Sequence, residues 1–511
     1  MAHIRTSYKV GWPQALLIVL YLALGALYAV RTPIWQVPDE PAHYNYIRYL
    51  AEQRTLPVLQ PGDYPLAYLE EIKSAKFPPD MSVDPIRYEF YQPPLYYLLM
   101  VPTYLATERL PLAQQVVALR LVSLLFGAGV VALAYATARA TLSPRRKEAP
   151  AEIRGASATE ISPDLLAFGV AAFIVMLPMH LTMMAAINND GLAELVLAGV
   201  LYLAVRVVQR GGDAHHWAAL GALVGIALLT KGTTYIALPL AMVAAFWGQR
   251  DSARRGWWRP LAWVCGVAAL VAGGWFLRNM AVYGWHDPLA WQRHTAVVSG
   301  QLTRAAYIAQ YGSLAWAREF IRTTFHSFWG QFGWMAVPMD QRVYLALYLL
   351  CGLVMVGLAL WFVRRLRERS ARESAAQWRP LGIMALSLAL SVAQYLWLNR
   401  QLVQFQGRYL NSSLIPLALA LTLGWAELWQ HEYAGWLAGV LGAGTVLLLG
   451  KGIVTGDPDK VALALLAAAT LAFVARRWLL PRAERLFFLL LYPLLLALAL
   501  AAPFLFVTQY L

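Results

Sequence analysis

The sequence predicts an all-α polytopic membrane protein, a bundle of about thirteen transmembrane helices with two large outer loops that carry interfacial helices. Three observations lead there. Hydrophobic residues make up 59% of the 511 and charged ones 14%, whereas soluble domains are nearer half apolar and a quarter charged. Apolar runs at 15–30, 116–138, 165–179, 381–398 and 486–507 approach the roughly 20 residues that a helix needs to cross a bilayer. These runs lack the two-residue alternation of a barrel strand, and backbone polar groups in hydrocarbon must be satisfied within the segment, so the spans are helical.

The first span, 15–30, follows Arg5 and Lys9 and has no small-residue cleavage site before Pro33. It reads as a signal anchor with a cytoplasmic N-terminus. A long outer loop, 32–115, comes next, and Asp39, Glu40, Glu52, Asp63, Glu70, Glu71, Asp80, Asp84, Glu89 and Glu108 mark it as watery. The basic stretch 139–154 belongs in the cytoplasm by positive-inside bias, so a single helix, 116–138, separates it from that loop. The apolar piece Leu95–Ala106 is too short to span, opens on Pro93-Pro94 and carries Pro102. It suits an interfacial or re-entrant helix.

Spans at 165–182, 191–209, 216–231, 232–248 and 260–280 alternate through short connections. The second outer loop, 281–340, is too long for a turn and rich in aromatics, among them Trp285, Trp291, Trp316, Trp329 and Trp334, as segments at headgroup depth are. The remaining spans, at 343–363, 380–398, 409–428, 433–452, 460–475 and 486–507, leave the C-terminus outside. No internal repeat, low-complexity tract or separate soluble domain is evident.

Forty-two Lys and Arg against 28 Asp and Glu give a formal charge of +14. The basic residues gather in alternate short segments, including Arg145-Arg146-Lys147, Arg250 to Arg259, Arg364 to Arg372 and Arg476 to Arg485. That bias makes their side cytoplasmic, and basic loops beside anionic lipid require no nucleic acid. Cys265 and Cys351 both fall in apolar spans, which excludes a disulfide framework or a cysteine metal cluster. Helix interiors are expected to be almost free of charge, Glu194 being the nearest exception.

The sharpest local signal is Pro38-Asp39-Glu40-Pro41-Ala42-His43-Tyr44, two adjacent carboxylates directly after the first membrane exit. Taken alone it describes a capped interfacial helix, Asp39 as the cap and Pro41 in the first turn. Four further polar clusters emerge on the same face. They are Tyr91-Gln92-Pro93-Pro94-Leu95-Tyr96-Tyr97, Asn188-Asn189-Asp190 with Glu194 one turn later, Leu229-Thr230-Lys231-Gly232 and Gln406-Gly407-Arg408-Tyr409. Each has an ordinary explanation in turn chemistry or snorkelling. Together they place carboxylates and cations at one depth, where an anionic lipid headgroup would bind.

In order and spacing, PDEPAHYNYIRYLAEQ at 38–53, QPPLYYLL at 92–99, NND at 188–190, LTKG at 229–232 and QGRYL at 406–410 resemble the GT-C membrane glycosyltransferases. Within them the likeness is to the branch of protein O-mannosyltransferases and aminoarabinose transferases, and it runs from 13 to 430. The resemblance implies a catalytic module over 1–340, variable C-terminal helices over 341–511, and transfer with inversion of a sugar from a polyprenyl phosphate such as undecaprenyl phosphate. The resemblance further implies a glycan, lipid or protein acceptor on the non-cytoplasmic face of a bacterial or archaeal plasma membrane.

Carried over residue by residue, the resemblance makes Asp39 the general base, with Glu40 beside it and Asp190 as an orienting group. One base suffices chemically, because the leaving phosphate is already stable as an anion and needs only cations to hold it. Lys231 and Arg408 are the candidate clamp, assisted by Tyr409 and by Gln92, which stands where the family often has a basic residue. His43, Glu194, Arg278 and His294 are the auxiliary or acceptor-side candidates. The sequence names no certain cofactor; a divalent metal would fall to Asp39 and Asp190. The rival reading from another class is a lipid or sugar transporter or flippase, against which stands the gathering of ionisable residues at helix ends rather than mid-membrane.

Overall fold

The structure, a computed structural model, describes residues 11–143, 161–249, 256, 258–367, 375–480 and 482–508. Arg5, Lys9, Arg145, Arg146, Lys147, Arg250, Arg254, Arg369 and Arg372, which carry much of the expected cytoplasmic charge, lie outside the described residues.

The protein is an integral multi-pass membrane bundle. Among the described residues ten helices are long and apolar enough to cross a bilayer, eleven if a bent pair counts as one span. The count of about thirteen is not reached by that criterion. Two of the expected spans are shorter apolar helices, α9 (Ala214–Leu228) and α10 (Ala237–Trp247), the latter led in by a 3-10 turn over Gly232–Ile236. The bent pair is α6 (Pro163–Val175) and α7 (Pro178–Met184), turned by 65°. Proline 178 explains the break, since its ring removes a donor and pushes the preceding residue out of the helical region.

The first span, α1 (Trp12–Arg31), packs on the long α5 (Leu112–Leu142), which also meets α6 and α8 (Asp190–Arg210). Between α1 and α5 the first outer loop folds into α2 (Glu40–Gln53), α3 (Leu66–Ser74) and the short α4 (Leu95–Thr107). α4 holds Pro102 within its 13 residues, as the interfacial reading requires. α11 (Trp258–Tyr283) lies along α9. The second outer loop follows as α12 (Trp291–Val297), α13 (Arg304–Tyr311), α14 (Ser313–Trp329) and a two-residue antiparallel pair, Gln331–Phe332 with Val337–Pro338.

The remaining helices are α15 (Gln341–Arg367), α16 (Ala375–Gln401), α17 (Leu414–Leu428), α18 (His431–Thr455), α19 (Lys460–Val474), α20 (Glu484–Leu489) and α21 (Leu491–Ala502). α15 and α17 touch backbone to backbone at Gly357 and Gly424, where a Cβ on Gly357 would lie 2.0 Å from the Gly424 carbonyl oxygen. Helices in lipid gain most from such close approach, because burial there is no more apolar than the surrounding tails.

Candidate active site

Although adjacent in sequence, Asp39 and Glu40 do different things. Glu40 opens α2 with a fully buried carboxylate. It accepts hydrogen bonds from Arg120 Nε at 2.7 Å and Nη2 at 2.6 Å, from the Trp35 backbone at 3.0 Å and from the Ile187 backbone at 3.2 Å. Arg120 also donates to the carbonyls of Ala29, Thr32 and Pro33 at 2.9, 2.6 and 3.1 Å. Both side chains are 0% exposed, so an unpaired charge on either would be costly and the pair is satisfied on every side. Glu40 therefore ties α1, α2, α5 and the segment before α8 together, a framing position closed to solvent, unlike the catalytic place expected for it beside Asp39. Arg120 also corrects the expectation of nearly uncharged helix interiors: it sits inside α5, where only its distant partner explains it.

Asp39 precedes α2 in the left-handed region, φ 69°, and its side chain makes no capping hydrogen bond. That conformation costs a non-glycine residue about 1–3 kcal/mol, so the helix-cap explanation fails and the surroundings must hold the residue there. The Tyr88 hydroxyl donates to Oδ1 at 2.8 Å and Arg408 Nη2 donates to Oδ2 at 2.7 Å, across 369 positions of sequence. Burial works against the charged carboxylate, but the Arg408 guanidinium outweighs it and holds the pKa below its usual value. A quarter of the side chain, 25%, remains accessible. Asp39 can be reached, whereas Glu40 cannot.

Arg408 is placed by its neighbour. Gly407 lies so close to α14 that a Cβ would fall 2.3 Å from the Thr324 carbonyl oxygen and 2.5 Å from the Phe328 nitrogen. Its N–H donates to Ser327 Oγ at 2.7 Å, which pins the 3-10 segment Gly407–Ser413 against the second outer loop. The guanidinium lies over the Tyr409 ring at 5.5 Å, and its buried Nε has no hydrogen-bond partner. A buried charged donor left unpaired is costly, and such a group is poised to meet an anion.

A second ion pair stands beside the first. Lys231, between α9 and α10, donates to Asp190 at 2.5 Å, and the Asp190 backbone N–H donates to Asn188 Oδ1 at 2.9 Å. Asn189 Nδ2 reaches the Thr230 carbonyl at 3.3 Å, which fastens the start of α8 to the Lys231 turn. Asn188 Nδ2 and Asn189 Oδ1 are buried without partners. His43, one turn into α2, links the pairs: its Nδ1 lies 2.8 Å from the Tyr97 hydroxyl, and it feels the charges of Lys231, Asp39, Asp190 and Arg408. Burial and the Lys231 charge push its pKa down to about 3, so it stays neutral.

The other candidates are more scattered. Gln92 is buried, with Nε2 donating to the Tyr91 hydroxyl at 3.1 Å. His294 packs on Tyr91 with ring centroids 4.3 Å apart, and burial lowers its pKa to about 4. Arg278 reaches the Pro57 carbonyl and faces the Trp275 and Tyr283 rings, a staple between α11 and the first loop rather than a member of the ionic cluster. Glu194 is buried on α8 and pairs with His180 at 3.1 Å. Asp39 and Asp190 each face a cation, and among the described residues no three potential metal ligands come together.

Tyr88, Arg120 and Glu89 were not singled out by the sequence. Tyr88 is one aromatic among many in the loops, and no local pattern marks it. Glu89, in contrast, is an acidic residue three positions before Gln92, and that spacing was a usable signal. It is buried, its Oε2 has no hydrogen-bond partner, and burial followed by the Asp39 charge raises its pKa to about 7. Asn45 presents this stretch to the site through Nδ2 contacts to the Val83 and Ile86 carbonyls at 2.7 and 2.8 Å.

Residues 164–274 match the dolichyl-phosphate-mannose-protein mannosyltransferase family. The matched segment runs from α6 into α11, so it carries Asp190 and Lys231 but neither Asp39 nor Arg408. Because the match is to a glycosyltransferase family, the GT-C resemblance and the enzyme class expected from the sequence are borne out. No curated protein matches the chain. Among solved structures, ArnT from Cupriavidus metallidurans bound to undecaprenyl phosphate is similar at 16% identity and a TM-score of 0.49, covering 96% of this chain and 77% of that one. The Archaeoglobus fulgidus oligosaccharyltransferase in its apo form is similar at 14% identity and 0.45, covering 94% and 56%. Archaeal AglB from the same organism, in complex with an inhibitory peptide and a dolichol-phosphate, is similar at 13% and 0.41, covering 96% and 56%.

Proposed function

We propose that this glycosyltransferase-like membrane protein moves a sugar from a polyprenyl-phosphate donor to an acceptor on the non-cytoplasmic face, with inversion at the anomeric carbon. The observation that carries the reading is the paired arrangement of Asp39 with Arg408 and Asp190 with Lys231, at the helix ends that border both outer loops. A phosphate drawn to the unpaired Arg408 Nε and the Asn188 amide would compete with Asp39 for the guanidinium. Asp39 loosened from Arg408 becomes a stronger base, so donor binding itself readies the group that takes the acceptor's proton. The acceptor oxygen or nitrogen then attacks the anomeric carbon, the glycosidic C–O bond to phosphate breaks, and the polyprenyl phosphate leaves as an anion held by Arg408 and Lys231.

The side assignment follows positive-inside bias and puts both outer loops opposite the basic segments. Asp39 and Asp190 are the ligands to test for any divalent metal. Mass spectrometry of the lipid that copurifies with the protein tests the donor: a polyprenyl phosphate is expected, and its absence together with failure to transfer a labelled sugar from one would overturn the proposal.

A further inference from the structure

The candidate site holds three carboxylates and two cations. Asp39 and Asp190 each face a cation, whereas Glu89 makes no ion pair among the described residues. Glu89 is no solvated loop residue: it is 9% exposed, and its Oε2 is sealed from solvent without a hydrogen-bond partner. The groups around it come from every element of the site. Asp39 lies at the start of α2, Tyr88 and Tyr91 stand beside Glu89 in the loop, the Gln92 backbone N–H donates to the Glu89 carbonyl at 2.9 Å, Tyr97 stands on α4, and Lys231 and Asp190 face it from the far side.

With Asp39 and Asp190 ionised, their charges cancel Arg408 and Lys231. A third carboxylate charge would leave the site net negative where an anionic phosphate must enter. A carboxyl that carries its proton removes the conflict and becomes a donor, the behaviour of an acid held neutral in an apolar setting.

We propose that Glu89 enters the site as a neutral carboxyl that donates a hydrogen bond to an oxygen of the donor's phosphate. No bond is broken in this step; the proton stays on Glu89 and is shared with the phosphate oxygen. The proposal rests on the polyprenyl-phosphate reading and adds the group that makes the site pH-sensitive. The raised pKa, about 7, agrees with a carboxyl protonated in the resting site. Donor affinity should then be full below neutrality and fall as pH rises, because ionised Glu89 neither donates nor tolerates the phosphate charge.

The test compares wild type with Glu89→Gln, whose amide donates at every pH. Binding of farnesyl phosphate is measured in detergent micelles at about pH 6 and about pH 8.5, and the ratio of the two proteins' affinities removes the ligand's own titration. Wild-type affinity is expected to drop on the order of tenfold more than that of Glu89→Gln across this range. Parallel pH profiles, or loss of binding in Glu89→Gln at the acidic point with an unchanged melting temperature, overturn the assignment while leaving the donor reading intact. Should neither protein bind farnesyl phosphate at any pH, the donor reading fails, and this inference with it. Infrared difference spectra of the wild type give a check that needs no folded variant. A protonated carboxyl stretch that disappears on raising pH and is displaced by farnesyl phosphate supports the proposal, and its absence overturns it.

Discussion

The two ends of the bundle both carry ion pairs between distant segments, and they are built differently. At the end away from the outer loops, Arg364 on α15 meets Glu427 on α17 at 2.6 Å, Arg139 on α5 meets Asp164 on α6 at 2.8 Å, and Arg476 donates to the Trp429 carbonyl at 2.8 Å. These contacts join helices already side by side, and no strained backbone holds them. At the loop end, Asp39 sits in a left-handed conformation, Arg408 keeps an unmet Nε, and Glu89 is buried with an unmet oxygen. Pairs at the first end join packed helices on ordinary backbone; at the second, a strained aspartate stands beside an unmet guanidinium nitrogen and an unmet carboxyl oxygen, where an anionic ligand would supply partners.

The largest effect should come from Asp39→Asn, which keeps the size and most hydrogen bonds of the side chain but removes the base. Sugar transfer is expected to fall by about two to four orders of magnitude with donor affinity nearly kept. Near-normal turnover in a folded variant would erase the difference between the two ends. Glu40→Ala should instead act on stability, roughly 3–5 kcal/mol, since it strands the Arg120 charge in the interior. A thermal melt measures this; a variant that melts like wild type but has lost turnover would return Glu40 to the catalytic list.

Arg408→Ala and Lys231→Ala should weaken polyprenyl-phosphate binding by about 1.5–3 kcal/mol each, roughly ten- to hundredfold, visible in a binding isotherm. Arg364→Met, at the other end, should leave binding and turnover unchanged, and a loss of either there would contradict the contrast. The smallest effect concerns acid. His43, lowered from 6.5 to about 3, binds its proton more readily when unfolded, so it contributes stability that is lost as pH falls from about 6.5 toward about 3. His43→Gln should flatten that part of a melting-temperature profile against pH, and an unchanged slope would show that the ring is not held neutral by the fold.

Much of this arrangement was readable in the sequence, because long apolar runs and short interrupted ones have few alternatives. The interfacial α4 followed from Pro93, Pro94 and Pro102 together with loop charge. The meeting of Asp39, Asp190, Lys231 and Arg408 followed from their shared depth, as four helix-end clusters on one face. What stayed hidden depends on partners far along the chain. Arg120 reads as a stray charge in a span until Glu40 is placed beside it, and nothing local distinguishes the buried Glu40 from the reachable Asp39. The bend at Pro178 was available from the residue itself, yet the apolar run across it reads as one span.

Gly407 has a consequence for which substitutions the chain can accept. It has no side chain to contribute chemically, yet any β-carbon there would drive the 3-10 segment off α14 and carry Arg408 away from Asp39. In a scan of all single substitutions, position 407 should therefore be as intolerant as position 39, with even alanine rejected. Its losses should also be reversible by no change at 408, since the defect lies in where the arginine is anchored rather than in what it is.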